Sequence, residues 1–494
     1  MMSADNRGSQ WKTLDKDLNR ISQVEYAAQY VSRPLVGMGV ALAFIVIAAL
    51  GAAVFFGQTP TSLVVVIAAA FGAYMALNIG ANDVANNMGP AVGANALTMG
   101  GAIFIAIICE SAGALLAGGD VVSTISKGII DPSGFDQSRA FVWAMMAALI
   151  SSALWVNLAT WVGAPVSTTH SVVGGVMGAG IAAAGFAAVN WPTMGKIAAS
   201  WVISPVLGGA IAALFLALIK HKIIYQDDKI AAAKRWVPVL IGIMAAAFGT
   251  YLSIKGLKQI IKIDLGTALL IGAAAGVITY VVSAPLIARQ AKGLENRTKS
   301  LKTLFALPLI FSAALLSFAH GANDVANAVG PLAAIVHVES VGDVAAKVTI
   351  PTWVMVIGAF GISFGLMLFG PKLIRMVGSQ ITKLNPMRAY CVALSAAITV
   401  IVASWLGLPV SSTHIAVGGV FGVGFYREHH MERRLRRSTA ARPEVKRIAP
   451  EERRRRKLVR RSHFMTIVAA WVITVPAAAL MSAVIFYVLN AIAA

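Results

Sequence analysis

Two short polar stretches, each present twice, hold the residues that could do chemistry in this chain. Gly-Ala-Asn-Asp-Val-Ala-Asn-Asn runs from Gly80 to Asn87, at the end of a long apolar segment. It returns at Gly321 to Ala328. Over Gly80–Pro90 and Gly321–Pro331, nine of eleven positions are identical at an offset of 241. Each copy sets a carboxylate among amides: Asp83 with Asn82 and Asn86, and Asp324 with Asn323 and Asn327. A carboxylate in hydrocarbon costs about 3 kcal/mol even on permissive scales, so it faces a cavity or a partner. Flanking glycine permits unwound backbone, and Pro90 and Pro331 suit the first turn of a following half-helix. Both stretches are therefore expected to interrupt their helices. Simple capping of a broken helix is the bland reading, and a weak one when the same costly residue appears twice.

The second pair is Pro165-Val-Ser-Thr-Thr-His170 and Pro409-Val-Ser-Ser-Thr-His414. Over Pro165–Gly180 and Pro409–Gly424, eleven of sixteen positions are identical. Each has three hydroxyls in a row, Ser167, Thr168 and Thr169 or Ser411, Ser412 and Thr413, ahead of a glycine-rich helical run. Free N–H groups and the positive end of a helix dipole suit an anion, and hydroxyls add donors. Small hydroxyl residues that merely pack between helices are the alternative. His170 and His414 read as structural hydrogen-bonding residues, since no metal-ligand spacing such as HExxH is present.

A carboxylate beside an anion has two uses. It can accept a hydrogen bond from a protonated oxyanion, which phosphate supplies near neutral pH and sulfate does not. It can also bind a co-transported cation, Na⁺ or H⁺, with Asn oxygens and backbone carbonyls as further ligands. No Lys or Arg falls in any of the four stretches. Glu110 is a further acid in an apolar run. Aligning the halves puts Ile362 opposite it, so it is not doubled, and it reads as a functional acid facing the cavity.

The elements that position these residues are membrane helices. The chain has 494 residues, 58% hydrophobic and 13% charged, with mean hydropathy +0.76. Several apolar runs reach the ~20 residues that span a bilayer as a helix. They are continuous rather than alternating, which disfavours a β-barrel. The expected fold is an all-α polytopic membrane protein of about 12–13 transmembrane segments, with two inverted-topology repeats and broken or re-entrant helices. Two cysteines, Cys109 and Cys391, both in apolar runs, exclude a disulfide framework. The polar start does not resemble a cleavable signal peptide.

The chain divides into a polar cytoplasmic arm (1–34), an extra N-terminal transmembrane helix (35–61) and a first repeat (62–219). A two-helix linker with basic loops (220–303) leads to a second repeat (304–494). The second repeat includes a basic cytoplasmic insert at 427–463, with fifteen Lys/Arg against five Glu. The formal charge of the whole chain is +20. Nucleic acid is disfavoured for the insert, which lacks interleaved aromatics for base stacking. Topology setting, or contact with anionic lipid headgroups, fits it better. Placing the basic loops inside puts the N-terminus inside and the C-terminus outside. Half one then runs from outside to inside and half two from inside to outside. Such inverted repeats are a signature of secondary transporters.

The paired GANDVANN/GANDVANA and PVSTTH/PVSSTH motifs resemble those of the PiT family of inorganic phosphate transporters, over roughly 62–219 and 304–492. The resemblance implies phosphate uptake coupled to Na⁺ in some members and to H⁺ in others, at a site shared by the halves. Carried over, Asn82, Asp83, Asn323 and Asp324 correspond to the Asn-Asp motif. Ser167, Thr168, Thr169, Ser411, Ser412 and Thr413 correspond to the hydroxyl motif. Glu110 resembles a first-repeat acid; the second-repeat acid of animal members aligns with Ala393. The expected protein is an inner- or plasma-membrane phosphate symporter, not an enzyme, with no cofactor beyond its coupling ion. A homodimer is compatible with this reading. The alternatives are a sulfate or other oxyanion transporter, a cation exchanger, a channel, a nutrient sensor, or an intramembrane enzyme acting on phosphorylated lipid.

Overall fold

Continuous apolar runs satisfy their own backbone only as helices, and every long element is one. The computed structural model describes residues 35–56, 62–131, 134–135, 138–162, 166–256, 263–342, 350–380, 384–441 and 461–493. The polar arm, Pro165 and residues 442–460 of the basic stretch fall outside the described residues.

The helices are α1 (Leu35–Phe56), α2 (Ser62–Gly93), α3 (Met99–Ala117), α4 (Gly119–Lys127), α5 (Ser138–Val162), α6 (Thr168–Ala184) and α7 (Trp191–Ile219). Then come α8 (Lys229–Lys255), α9 (Leu265–Gln290), the short α10 (Leu301–Leu304), α11 (Ala306–Val341), α12 (Thr352–Gln380), α13 (Pro386–Trp405), α14 (Ser412–Ala441) and α15 (Arg461–Ala493). Eleven helices among the described residues are long and apolar enough to cross a membrane. The hydroxyl-led α6 and α14 are not among them, so the count stands at eleven against the 12–13 segments expected. The basic stretch begins as a helical extension of α14, up to Ala441.

Burial runs from outside to inside. Only 11% of the most apolar window of α1 and 17% of that of α9 is buried, against 61% for α2 and α11. The apolar faces of α1 and α9 thus point to lipid, and the helices with the Asn-Asp motifs form the core.

The halves exchange partners. α2 packs chiefly on α12 and α11 chiefly on α3; α6 packs on α15 and α14 on α7. Each helix of one half lies on the helix that follows its equivalent in the other. The glycines of the two motifs make this approach, since a methyl on Gly80 would strike the Ile362 carbonyl and one on Gly321 the Glu110 carbonyl. Glu110 and Ile362 therefore occupy equivalent places, as the alignment expects.

This close packing overturns the expected helix break. α2 runs unbroken through Gly80–Asn87 and Pro90, and α11 through Gly321–Ala328 and Pro331. The glycines serve contact between backbones, as small residues do in membrane interfaces, rather than unwinding. The prolines lie inside helices instead of opening new ones.

The breaks lie at the hydroxyl motifs. α6 has 17 residues, roughly 26 Å, short of a ~30 Å hydrocarbon core. It begins in the core, with Thr168 2% exposed. It ends near the segment that precedes α5, where Ile130 bridges Val189 and the Asn190 N–H donates to the Ile129 carbonyl at 2.9 Å. α5 and α6 thus form a hairpin that dips in and returns. α13 and α14 form the second, turning at Gly407, whose φ of 67° suits glycine.

Candidate functional site

The two hairpin tips meet the two Asn-Asp helices. Ser167 caps α6, accepting from the His170 N–H at 3.1 Å, and Ser411 accepts from the His414 N–H at 3.3 Å. Both hydroxyl motifs therefore begin helices, as expected, and the next two hydroxyls of each are free to face the centre.

Asp83 accepts from Thr168 Oγ1 at 2.9 Å in its own repeat and from Thr413 Oγ1 at 3.0 Å in the other. Asn86 donates to Thr413 Oγ1 at 2.8 Å. The equivalent Asn327 donates to Thr169 Oγ1 at 3.2 Å and to Thr168 Oγ1 at 3.4 Å. Ser412 donates to Asp324 Oδ2 at 3.4 Å, and Thr169 donates to the Val410 carbonyl at 3.0 Å. Each repeat thus contributes side chains to the other's half of one site. Asp83 and Asp324 are each 1% exposed.

Asn82 and Asn323 were expected in the cluster, and their amides point elsewhere. Neighbouring side chains on a helix point about 100° apart, so a residue beside a central Asp cannot share its direction. Asn82 donates to Thr160 on α5 at 2.9 Å. Asn323 donates to Ser404 Oγ at 3.0 Å and to the Leu408 carbonyl at 3.1 Å, and accepts from the Val410 N–H at 3.2 Å. Both hold a hairpin in place.

Two residues join the site unforeseen. His320 Nε2 lies 2.9 Å from Asp324 Oδ2 and 3.8 Å from Asp83 Oδ2, and its Nδ1 lies 3.3 Å from Glu110 Oε2. Asn87 donates to Glu110 Oε1 at 2.9 Å. His320, Glu110 and Asn87 are all fully buried. Their first- or second-half equivalents are Ile79, Ile362 and Ala328, so the residues that break the internal repeat cluster together. A helical reading would have found two of them: His320 lies four residues before Asp324, and Asn87 four after Asp83, each on the face of its aspartate.

The electrostatics call for positive charge. Three buried carboxylates surround one imidazole, and no Lys or Arg reaches them among the described residues. Asp324 Oδ1 and Asn327 Oδ1 are buried acceptors with no donor there. Carboxylate, amide and hydroxyl oxygens are the ligands a hard cation takes. Donor atoms of Asp83, His320 and Asp324 lie within 4.8 Å of one another and could hold one. Beside them, the N-termini of α6 and α14 and their hydroxyls suit an oxyanion. His170 and His414 sit behind, rings 4.4 Å apart and edge to face, with His170 3.8 Å from the Trp201 ring.

The model of the phosphate transporter family matches residues 79–482. A Helicobacter pylori protein named, by inference, a phosphate permease is 44% identical, covering 96% of this chain and 99% of that one. A Pyrococcus abyssi protein of the same naming is 36% identical, over 85% of this chain and 96% of its own. A solved structure described as "The sodium-dependent phosphate transporter" superposes with a TM-score of 0.78 at 36% identity, covering 87% of this chain and 99% of that chain. The chain belongs to the phosphate transporter family.

Proposed function

We propose that this protein is a secondary symporter that carries inorganic phosphate with Na⁺ through one site shared by its two repeats. The observation that carries the reading is the crossing of the repeats at the buried carboxylates, where Asp83 accepts from hydroxyls at the start of both α6 and α14. Phosphate binds against those two helix starts, with Thr168, Thr169, Ser412 and Thr413 as donors and Ser167 and Ser411 shaping the caps. Asp83 and Asp324 accept hydrogen bonds from a protonated phosphate, which a sulfate cannot offer. The same carboxylates, with Asn86, Asn327 and Glu110, hold the coupling cation. Asn82 and Asn323 keep the hairpins in register.

The solved relative is sodium-dependent by its description, which favours Na⁺ over H⁺ here. The repeats are of inverted topology, with the N-terminus inside and the C-terminus outside the plasma membrane. Alternating access then exposes one fixed site to either side. Phosphate uptake into proteoliposomes tests this, under an inward Na⁺ gradient at equal pH or an acid-outside gradient without Na⁺. Uptake driven by Na⁺ and indifferent to excess sulfate is expected. Uptake driven by the pH gradient alone would replace Na⁺ by H⁺, and uptake under neither gradient would refute symport.

A further inference from the structure

Away from the transport site, three cations converge where α7, α13 and α14 meet. Lys220 ends α7, Arg388 stands in the first turn of α13, and Arg427 lies on α14 where that helix leaves the hairpin. Lys220 Nζ sits 4.8 Å from the centre of the Tyr426 ring, the residue before Arg427. The three charges lie within electrostatic reach of one another. All three residues are half-buried, and none takes part in an ion pair among the described residues. Glu428, the adjacent acid, forms no ion pair with them among the described residues, and its Oε1 is buried and faces no donor.

The arrangement is unfavourable without an anion. Like charges repel, partial burial weakens their hydration, and Arg388 stands at the positive end of a helix dipole. A structural role would pair these cations with acids, and among the described residues no acid is paired with them. The surroundings set the level in the membrane. Lys222 Nζ lies 5.3 Å from the Trp236 ring, and the Tyr225 hydroxyl bonds His430 Nε2 at 2.6 Å. Aromatic and basic side chains gathered at helix ends mark the headgroup layer. Basic pockets between membrane helices on the positive side hold phosphate-bearing headgroups.

We propose that Lys220, Arg388 and Arg427 form a binding site for a phosphate group, supplied by the headgroup of an anionic phospholipid such as phosphatidylglycerol. Inorganic phosphate is the other source of the same chemistry. The bound group ties α7, the last helix of the first repeat, to the hairpin that carries Ser411, Ser412 and Thr413. The site depends on no step of the transport cycle, so it stands or falls separately from the reading above.

The test uses the full chain in nanodiscs of phosphatidylcholine with a rising fraction of phosphatidylglycerol. Retained lipid is read by native mass spectrometry, and the melting temperature is read alongside. The variants are Arg388→Gln with Arg427→Gln, Lys220→Gln alone, and Asp83→Asn as a lesion of the transport site. Wild type and Asp83→Asn should retain phosphatidylglycerol and melt higher as its fraction grows. The double variant should retain it about thirtyfold less, the scale for loss of two interfacial cations, and Lys220→Gln about fivefold less. Melting in pure phosphatidylcholine checks that each variant is folded; should the double variant fail there, Lys220→Gln carries the test. Stabilisation of Asp83→Asn by millimolar inorganic phosphate, lost when the cation substitutions are added to Asp83→Asn, would support the site and name free phosphate as its source. Equal retention of phosphatidylglycerol by wild type and folded variants would overturn it.

Discussion

Thr413→Val removes one hydroxyl and almost no volume, and that hydroxyl links the two repeats at the centre of the site. It donates to Asp83 Oδ1 at 3.0 Å and accepts from Asn86 Nδ2 at 2.8 Å. A hydrogen bond to a carboxylate contributes about 1.5–3 kcal/mol, and a buried donor left without a partner costs about 1–3 kcal/mol. The two losses overlap, because Asn86 Nδ2 already lies 3.4 Å from Asp83 Oδ1 and can close on it. The net effect is then about 2–4 kcal/mol, and at 1.4 kcal/mol per decade kcat/KM falls about 30- to 1,000-fold. Thr413→Ser keeps the hydroxyl and should stay within about fivefold of wild type, on the scale of one lost methyl group. Initial rates of labelled phosphate uptake into proteoliposomes, normalised to folded protein, measure both. A Thr413→Val rate within about threefold of wild type would refute the placement of this hydroxyl among the ligands.

Asp83→Asn and Asp324→Asn should each abolish uptake while folded protein remains in the membrane, because on the proposed reading each removes a charge that binds the cation. Normal uptake by either would remove the carboxylates from the mechanism. Glu110→Gln should raise the Na⁺ concentration for half-maximal uptake more than the phosphate KM, since Glu110 meets His320 and Asn87 rather than the hydroxyl-bearing helix starts. An equal rise in both constants would place Glu110 on the anion instead. Gly321→Ala should destabilise the fold by about 1–3 kcal/mol or more, because its methyl strikes the Glu110 backbone. Gly39→Ala, with open space around it, serves as the control. A melting temperature for Gly321→Ala equal to that of the control would contradict the close approach of α3 and α11.

Most of the site could be read from doubling, and what was missed follows from the same cause. Two copies of Asn-Asp and of three hydroxyls exposed Asp83, Asp324, Thr168, Thr169, Ser412 and Thr413 without any structure. Short α6, capped by Ser167, follows from hydroxyls ahead of a glycine-rich run. The state of the backbone at Gly80–Asn87 did not follow. Glycine beside polar residues serves equally for unwinding or for close helix contact, and only the position of Ile362 from the other repeat decides between them. The mistaken break removed the helical periodicity that places Asn82 away from Asp83 and brings Asn87 to its face. His320 escaped because a search for repeated residues passes over those that differ, and Ile79 stands in its place in the first repeat. The single Glu110 was visible only as an acid in an apolar run, and its partners come from two other helices.

The most direct measurement is equilibrium binding of phosphate to the purified protein at fixed pH, with Na⁺ or choline as the cation. Cation and anion held in one site must change each other's affinity by the same factor. The account predicts that phosphate binds at least about tenfold more tightly in Na⁺ than in choline, a coupling of about 1.4 kcal/mol, and that Asp83→Asn erases the difference. Phosphate affinity equal in Na⁺ and choline, and unchanged by pH, would contradict a shared site.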